Sequence, residues 1–266
     1  MLWKSLAFII VLALFIKKIP AQNSRITDKN TIGWYNNFTT LKLSDKWSGH
    51  LEYQWRRENL VKDWQQSLFR TGINYQANNK LLLRLGYAWV ETFSYGDFPL
   101  QAGGKRFPEH RIFQMAGISD KISQVEMSHR FMLEQRWIGR YKDVALTKPD
   151  EFVFLNRLRY MYRMQMAIGK NSIENKTPYA AIYDEIFIGF GKNVNENVFD
   201  QNRFALLLGY RFSSNFRIES GFFHQVVQLG REINNRNVFQ YNRGIILNSF
   251  FNFDLTRLSP EKRIKK

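Results

Sequence analysis

From Trp34 onward the chain alternates apolar and polar residues with a period of two. In the segment 47–56, Trp47, Leu51, Tyr53 and Trp55 are apolar, whereas His50, Glu52, Gln54 and Arg56 are polar. Successive strand side chains point to opposite faces, so such a segment has one greasy face and one wet face. The pattern predicts strands over 33–43, 47–58, 64–76, 80–93, 109–119, 124–138, 152–167, 178–190, 201–212, 216–228 and 237–253. No segment between them has helical periodicity. Ser44-Asp45-Lys46, Ala77-Asn78-Asn79-Lys80 and Ser213-Ser214-Asn215 read as tight polar turns. Pro99, Pro108, Pro149, Pro178 and Pro260 fall in connections or at strand starts, where a missing N–H does not interrupt a ladder.

Short connections follow the first, third, fifth, seventh and ninth strands. Longer ones are expected at 59–63, 94–108, 139–151, 191–200 and 229–236. Outer-membrane barrels place short turns in the periplasm and long loops outside. By that rule the segment 33–43 begins outside the cell, and a periplasmic N-terminus requires one strand more. The expectation is an all-β fold: one antiparallel up-and-down transmembrane barrel of about 12 strands, or about 10 if a segment is spurious.

The apolar face is aliphatic and aromatic. Leu83, Leu85, Tyr87 and Trp89 oppose Arg84, and Phe204, Leu206, Leu208, Tyr210 and Phe212 oppose Arg203 and Arg211. Leu158, Tyr160, Tyr162, Met164 and Met166 oppose Arg157, Arg159 and Arg163. An arginine facing hydrocarbon at mid-depth costs about 2–4 kcal/mol, which puts the arginines inside. A soluble sandwich would carry the same alternation with its arginines in solvent; the aromatic load and long strands favour the barrel. Two segments resist. Asp184 and Glu185 occupy opposite faces of one strand, so one sits at a rim, at a bulge or on the outer wall. In 109–119, Arg111 shares a face with Phe113 and Met115, leaving the phase open.

The first 21 residues read as a secretory signal: Lys4, then the apolar run 5–16, then Ile19-Pro20-Ala21 before Gln22. Residues 22–253 form the barrel domain and 254–266 a basic tail. The chain has no cysteine, hence no disulfide and no thiol chemistry, and a formal net charge of +16. In an exported protein that charge points to acidic lipid, acidic glycans or small anions, not to nucleic acid.

The segments Glu109-His110-Arg111-Ile112-Phe113-Gln114, 129–136 and Tyr183-Asp184-Glu185-Ile186-Phe187, followed by Phe199-Asp200-Gln201-Asn202-Arg203, Leu208-Gly209-Tyr210 and Gly221-Phe222-Phe223-His224-Gln225, form an ordered set. Together they resemble the family known as domain of unknown function 2490, over about Trp34 to Phe253. The resemblance implies an exported outer-membrane barrel of a Gram-negative bacterium, with barrel-assembly and periplasmic chaperone machinery as transient partners. It implies no activity. The chain departs from the family in its Lys17-Lys18 pair and its basic tail.

The chemistry-bearing residues converge on the wet face. Arg56, Arg70, Arg84, Arg130, Arg136, Arg157, Arg159, Arg163, Arg203, Arg211 and Arg217 are expected in the lumen with Glu52, Glu134 and Glu219. Cations in that excess attract anions, so an arginine-lined pore or binding barrel for small anionic solutes is expected. The alternatives are a closed structural barrel with a filled lumen and a lipid-modifying hydrolase. For the last, His50 and Glu52 share a face about 7 Å apart along the strand. Ser128-His129 fails, because adjacent residues point apart. No metal, cofactor or catalytic set is expected. Most aromatics read as interface belts, and Tyr95, Phe98 and Phe107 are the loop aromatics that could stack sugars.

Overall fold

The computed structural model describes residues 25–195 and 197–258, and strands occupy most of them. They are β1 (Arg25–Lys42), β2 (Trp47–Glu58), β3 (Asp63–Gln76), β4 (Leu81–Thr92), β5 (Phe107–Ile122), β6 (Val125–Arg140), β7 (Glu151–Ala167), β8 (Thr177–Phe190), β9 (Phe199–Arg211), β10 (Phe216–Ile233) and β11 (Arg236–Asp254). Each pairs antiparallel with its sequence neighbour, and β1 closes on β11 in parallel, which makes a closed up-and-down barrel. No helix among the described residues is long and apolar enough to cross a membrane. The expected signal segment 1–21 lies outside the described residues. Of the expected tail, Asp254 ends β11 and Leu255–Leu258 form a 3-10 turn.

The barrel has eleven strands, which corrects the even number expected from sequence. That expectation required the first and last strands to run antiparallel. Residues 25–31 lack clear alternation, yet they continue β1 through backbone pairing that runs from Arg25↔Asn237 to Lys42↔Asp254. Strand β1 therefore starts at the end that carries connections 59–62, 93–106, 141–150 and 191–198, and β11 finishes at the other. A parallel seam needs no twelfth strand.

The connection expected at 229–236 is also corrected. Strand β10 runs on to Ile233 and turns through Asn234 and Asn235, both left-handed at φ 50° and 56°. Asparagine tolerates that region, and two left-handed residues match the twist of a hairpin.

Both ambiguous strands resolve. Arg111, Phe113 and Met115 all point inward and are buried, while Ile112 is exposed on the outer wall. In β8, Tyr179, Ala181, Glu185 and Phe187 are buried inside. Asp184 faces outward, where its Oδ1 accepts from Asn202 Nδ2 at 2.9 Å. Gly86 and Gly209 make room for two inward rings: a Cβ at either would overlap Phe113 or Tyr179.

Two apolar clusters occupy part of the lumen. One joins Ile32, Trp34, Tyr179, Leu207, Phe223 and Ile246, and receives Ile173 from the connection 168–176, whose carbonyl accepts from Arg211 Nη1 at 3.0 Å. The other joins Phe113, Met115 and Met132. Outside, the wall is rich in exposed apolar side chains, with Leu85 at 60% and Leu208 at 67% exposure.

The seam is directly testable, because the chain has no native cysteine. Asn37 and Ser249 are register partners whose side chains hydrogen bond at 3.1 Å. Oxidation of the N37C/S249C double variant is expected to form an internal disulfide, seen as a mobility shift reversed by reductant. The one-residue offset pair N37C/F250C projects to opposite faces and is expected to stay reduced. Cross-linking of the offset pair alone would refute the parallel register.

Candidate functional site

The inward faces of β2 to β10 bring most of the arginines together around a few buried carboxylates. The hub is Glu134 on β6, fully buried. Its Oε2 accepts from Arg157 Nε at 2.8 Å and Nη2 at 2.6 Å, and its Oε1 from Arg159 Nη1 at 2.9 Å. Arg111 and Arg70 approach the same Oε1 at 3.8 and 3.9 Å. Buried charges of this kind persist only when paired and hydrogen bonded.

From the hub the network spreads to other acids. Arg157 Nη1 donates to Asp200 at 2.7 Å, and Arg136 lies 3.6 Å from the other Asp200 oxygen. Arg136 and Arg111 converge on Glu109, with Nε contacts of 2.5 and 2.7 Å. Arg159 and Arg130 share Glu185 Oε1, each through Nη2 at 2.8 Å. Arg70 Nη1 bridges both Glu52 oxygens at 2.7 and 2.8 Å. Arg163 forms a separate pair with Glu219 at 2.6 Å. Aromatic rings back the guanidinium groups: Phe187 carries Arg157, Arg159 and Arg203 at 5.1, 4.4 and 4.5 Å, and Phe113 carries Arg70 at 5.3 Å.

Of the remaining sequence-expected residues, Arg84 donates to Asn74 at 2.5 Å, and Arg217 lies over Phe250 at 4.2 Å. The sequence pattern leaves Glu109, Arg111, Glu185 and Asp200 without a lumen assignment, although their burial inside changes the charge balance. Glu109 and Arg111 share a face two residues apart on β5, which the unresolved phase concealed. Asp200 sits at a register shift between β8 and β9, where alternation gives no guide.

Toward the end bearing the connections 93–106 and 191–198, the filled lumen opens into a cavity of about 190 Å³. Here two buried arginines, Arg56 and Arg203, make their close hydrogen bonds to glutamine amides. Arg56 is buried and donates through Nε to Gln54 Oε1 at 2.8 Å, and also to Gln66; among the described residues no carboxylate lies within ion-pair distance of it. Arg203 donates to Gln201 Oε1 at 3.1 Å, with Glu185 no closer than 3.9 Å. Both guanidinium groups lie against Trp34, 3.7 and 4.8 Å from its ring centroid. The indole is fixed by a 2.7 Å bond from its Nε1 to Gln65, which a register irregularity in β2–β3 turns inward. A glutamine oxygen satisfies the geometry of a guanidinium donor but leaves its charge intact. The cavity wall therefore keeps positive charge that the hub has neutralised elsewhere.

The connection 93–106 folds over this cavity. Tyr95 donates to Gln240 at 2.8 Å, Gly96 N donates to Glu58 at 3.1 Å, and the Pro99 carbonyl accepts from Arg231 at 2.8 Å. Burial pushes the Tyr95 phenol up to about 12, so it remains a donor at neutral pH. Tyr95 and Phe107 are buried, hence not available as outward sugar platforms.

Among the described residues, His50 bonds to Glu52 and not to a serine. His50 Nε2 and Glu52 Oε2 are 3.1 Å apart in the buried network, but Ser48, on the same face, bonds to Asn74 at 2.9 Å. Among the described residues no group of three or more His, Cys, Asp or Glu could hold a metal ion.

The family described as Protein of unknown function (DUF2490) matches residues 31–237. No curated protein matches the chain. A solved structure titled "NanC porin structure in rhombohedral crystal form" aligns at 11% identity and a TM-score of 0.41, covering 77% of this chain and 91% of that one. A likeness at that level carries no functional inference.

The hub gives a measurable stability. Removing one partner of a buried ionic group typically costs about 3–5 kcal/mol. Glu134→Gln, which leaves Arg157 and Arg159 short of a counter-charge, is expected to cost about that much in denaturant-midpoint measurements. A loss under about 1 kcal/mol, the usual scale for a surface change, would refute the hub.

Proposed function

The chain belongs to the DUF2490 family, and for this member we propose an outer-membrane barrel that binds a small anionic solute in its arginine-walled cavity. The carrying observation is the pair Arg56 and Arg203, buried at the cavity wall and hydrogen bonded to glutamine amides, with Glu185 at 3.9 Å from Arg203. Other inward arginines, such as Arg157 and Arg159, have carboxylates within 3 Å; these two have spare charge and fixed orientation. Guanidinium donors suit carboxylate, sulfate or phosphate oxygens.

Below the cavity the lumen is occupied. Glu134, Phe113, Phe187 and Phe223 are all fully buried on inward faces. This favours a binding barrel over an open pore. The hydrolase reading has no assembled nucleophile, and the proposed role is non-enzymatic. The outer-membrane location is supported by the exposed apolar wall, since soluble proteins rarely leave so continuous an apolar surface in water.

Sulfate or glucuronate binding to the purified barrel, followed by calorimetry, tests the site. Hydrogen bonds to charged groups are worth about 1.5–3 kcal/mol each, so R56Q/R203Q is expected to weaken binding by about tenfold or more. Unchanged affinity in a folded variant would sink the proposal. In planar bilayers the wild-type barrel is expected to pass no steady current, and a sustained anion current would replace the binding barrel with a pore. For location, Leu85→Arg is expected to destabilise the barrel in lipid vesicles by about 2–4 kcal/mol. A cost within about 0.5 kcal/mol, the value for a water-facing position, would argue against membrane insertion.

A further inference from the structure

The cavity wall carries more than cations. Arg56 donates to Gln66, whose Nε2 in turn donates to Thr92 Oγ1 at 2.8 Å. Thr92 is buried and lines the cavity, and its hydroxyl proton has no acceptor among the described residues. Arg203 donates to Gln201 Oε1 at 3.1 Å, and Gln201 Nε2 donates to Asp200 Oδ2 at 2.9 Å. Asp200 lines the same cavity, and its Oδ1 has no donor closer than 3.4 Å. Each arginine is thus one glutamine away from an oxygen with bonding capacity unused: a proton at Thr92, a lone pair at Asp200. In the roof, Gln101 donates its amide N–H to the Gly139 carbonyl at 2.8 Å. Its Oε1, at the cavity wall, has no donor among the described residues.

We propose that the solute taken by this cavity is a sugar acid, a hydroxylated monocarboxylate of one-ring size. Its carboxylate lies on Arg56 and Arg203, and its hydroxyls meet Thr92, Asp200 and Gln101. The inference rests on the anion-binding role proposed above and names the class of anion. A carboxylate engages the guanidinium N–H groups that Gln54, Gln66 and Gln201 leave unused. It offers nothing to Asp200 or Gln101, which need a proton, and sulfate has none to give at neutral pH. A hydroxyl both donates and accepts, so it meets the unfilled donor and the unfilled acceptors alike. A ligand that leaves such groups unmet loses affinity, because they give up water without replacement. Volume sets the size. The cavity of about 190 Å³ has the room of about six waters. That is below the span of about 300–1,000 Å³ typical of drug-sized pockets, and it suits one sugar ring, not a chain of them.

Calorimetric titration of the purified barrel tests this with four probes. Glucuronate and its epimer galacturonate carry both features, cyclohexanecarboxylate has the ring and carboxylate without hydroxyls, and glucose has the hydroxyls without a carboxylate. The tighter of the two sugar acids is expected to bind at least about tenfold more strongly than either partial analogue. Hydrogen bonds separate it from the first and a charge contact from the second. Cyclohexanecarboxylate binding as tightly as the sugar acids overturns the assignment and leaves the anion reading standing. Sulfate binding without either sugar acid does the same. Glucose binding as tightly as the sugar acids overturns both readings, as does a barrel that binds none of these solutes. Only the ligand varies in this series, so a misfolded variant cannot imitate either result. In the folded R56Q/R203Q barrel the preference for the sugar acid over glucose is expected to vanish. Its persistence would put the carboxylate elsewhere and overturn the assignment.

Discussion

A carboxylate with no access to water must be surrounded by donors, and Glu134 organises the barrel on that condition. Arg157 on β7 reaches it from beside Asp200, and Arg159 reaches it from beside Glu185, so one buried anion ties β6, β7, β8 and β9 into a single electrostatic unit. Arg111 and Arg70 extend the unit to β5 and β3. In a low-dielectric interior such a network is strongly stabilised when complete and costly when any member is missing. The barrel can hold so many arginines because nearly every one has a carboxylate or an aromatic face fixed beside it.

At the cavity, Arg56 and Arg203 join a wall that also carries Glu109 and Asp200. Above the hub, the side chains facing Arg56 and Arg203 are Gln54, Gln66 and Gln201. Amides keep the guanidinium groups in position without cancelling their charge, and Trp34 gives both a common platform. The same residue type therefore has two roles. Near Glu134 it is structural cement, and at the cavity it is a preorganised donor set that the proposed anion would complete. The connection 93–106, anchored through Tyr95 and Gly96, roofs the place where that anion would enter.

Much of this was legible in the chain. Alternation in β2, β4, β7 and β9 separates an apolar face from an arginine face without reference to coordinates, because a strand has only two faces and an arginine in hydrocarbon is expensive. What alternation misses is local. Asp184 and Glu185 are equivalent in a strand of unknown phase, and Asp200 and Gln65 lie at register irregularities that break the period. The acids that neutralise the lumen were thus undercounted, which made the interior look more cationic than it is. The Arg56–Trp34–Arg203 stack was illegible for another reason: it adds Arg203 of β9, remote in sequence, to the register partners Trp34 and Arg56 of β1 and β2. The odd strand number escaped because residues 25–31 are held by backbone pairing, with no amphipathic signature to reveal them.

The parallel seam has a consequence for how the barrel finds its register. Its side-chain bonds, Asn30 to Asn242 and Asn36 to Asn248 inside and Asn37 to Ser249 outside, all span a sequence separation of 212 residues. Closing a loop of that size costs about 5 kcal/mol in chain entropy alone, so the seam is the least local contact in the molecule. A slip of two residues would keep every backbone bond and every inside–outside assignment, yet it would set Asn36 against Ile246 or Phe250. Backbone pairing cannot detect that error, but the asparagine ladder can. It acts as a key cut at matching depths on the first and last strands, admitting one closure among several that the sheet itself would accept.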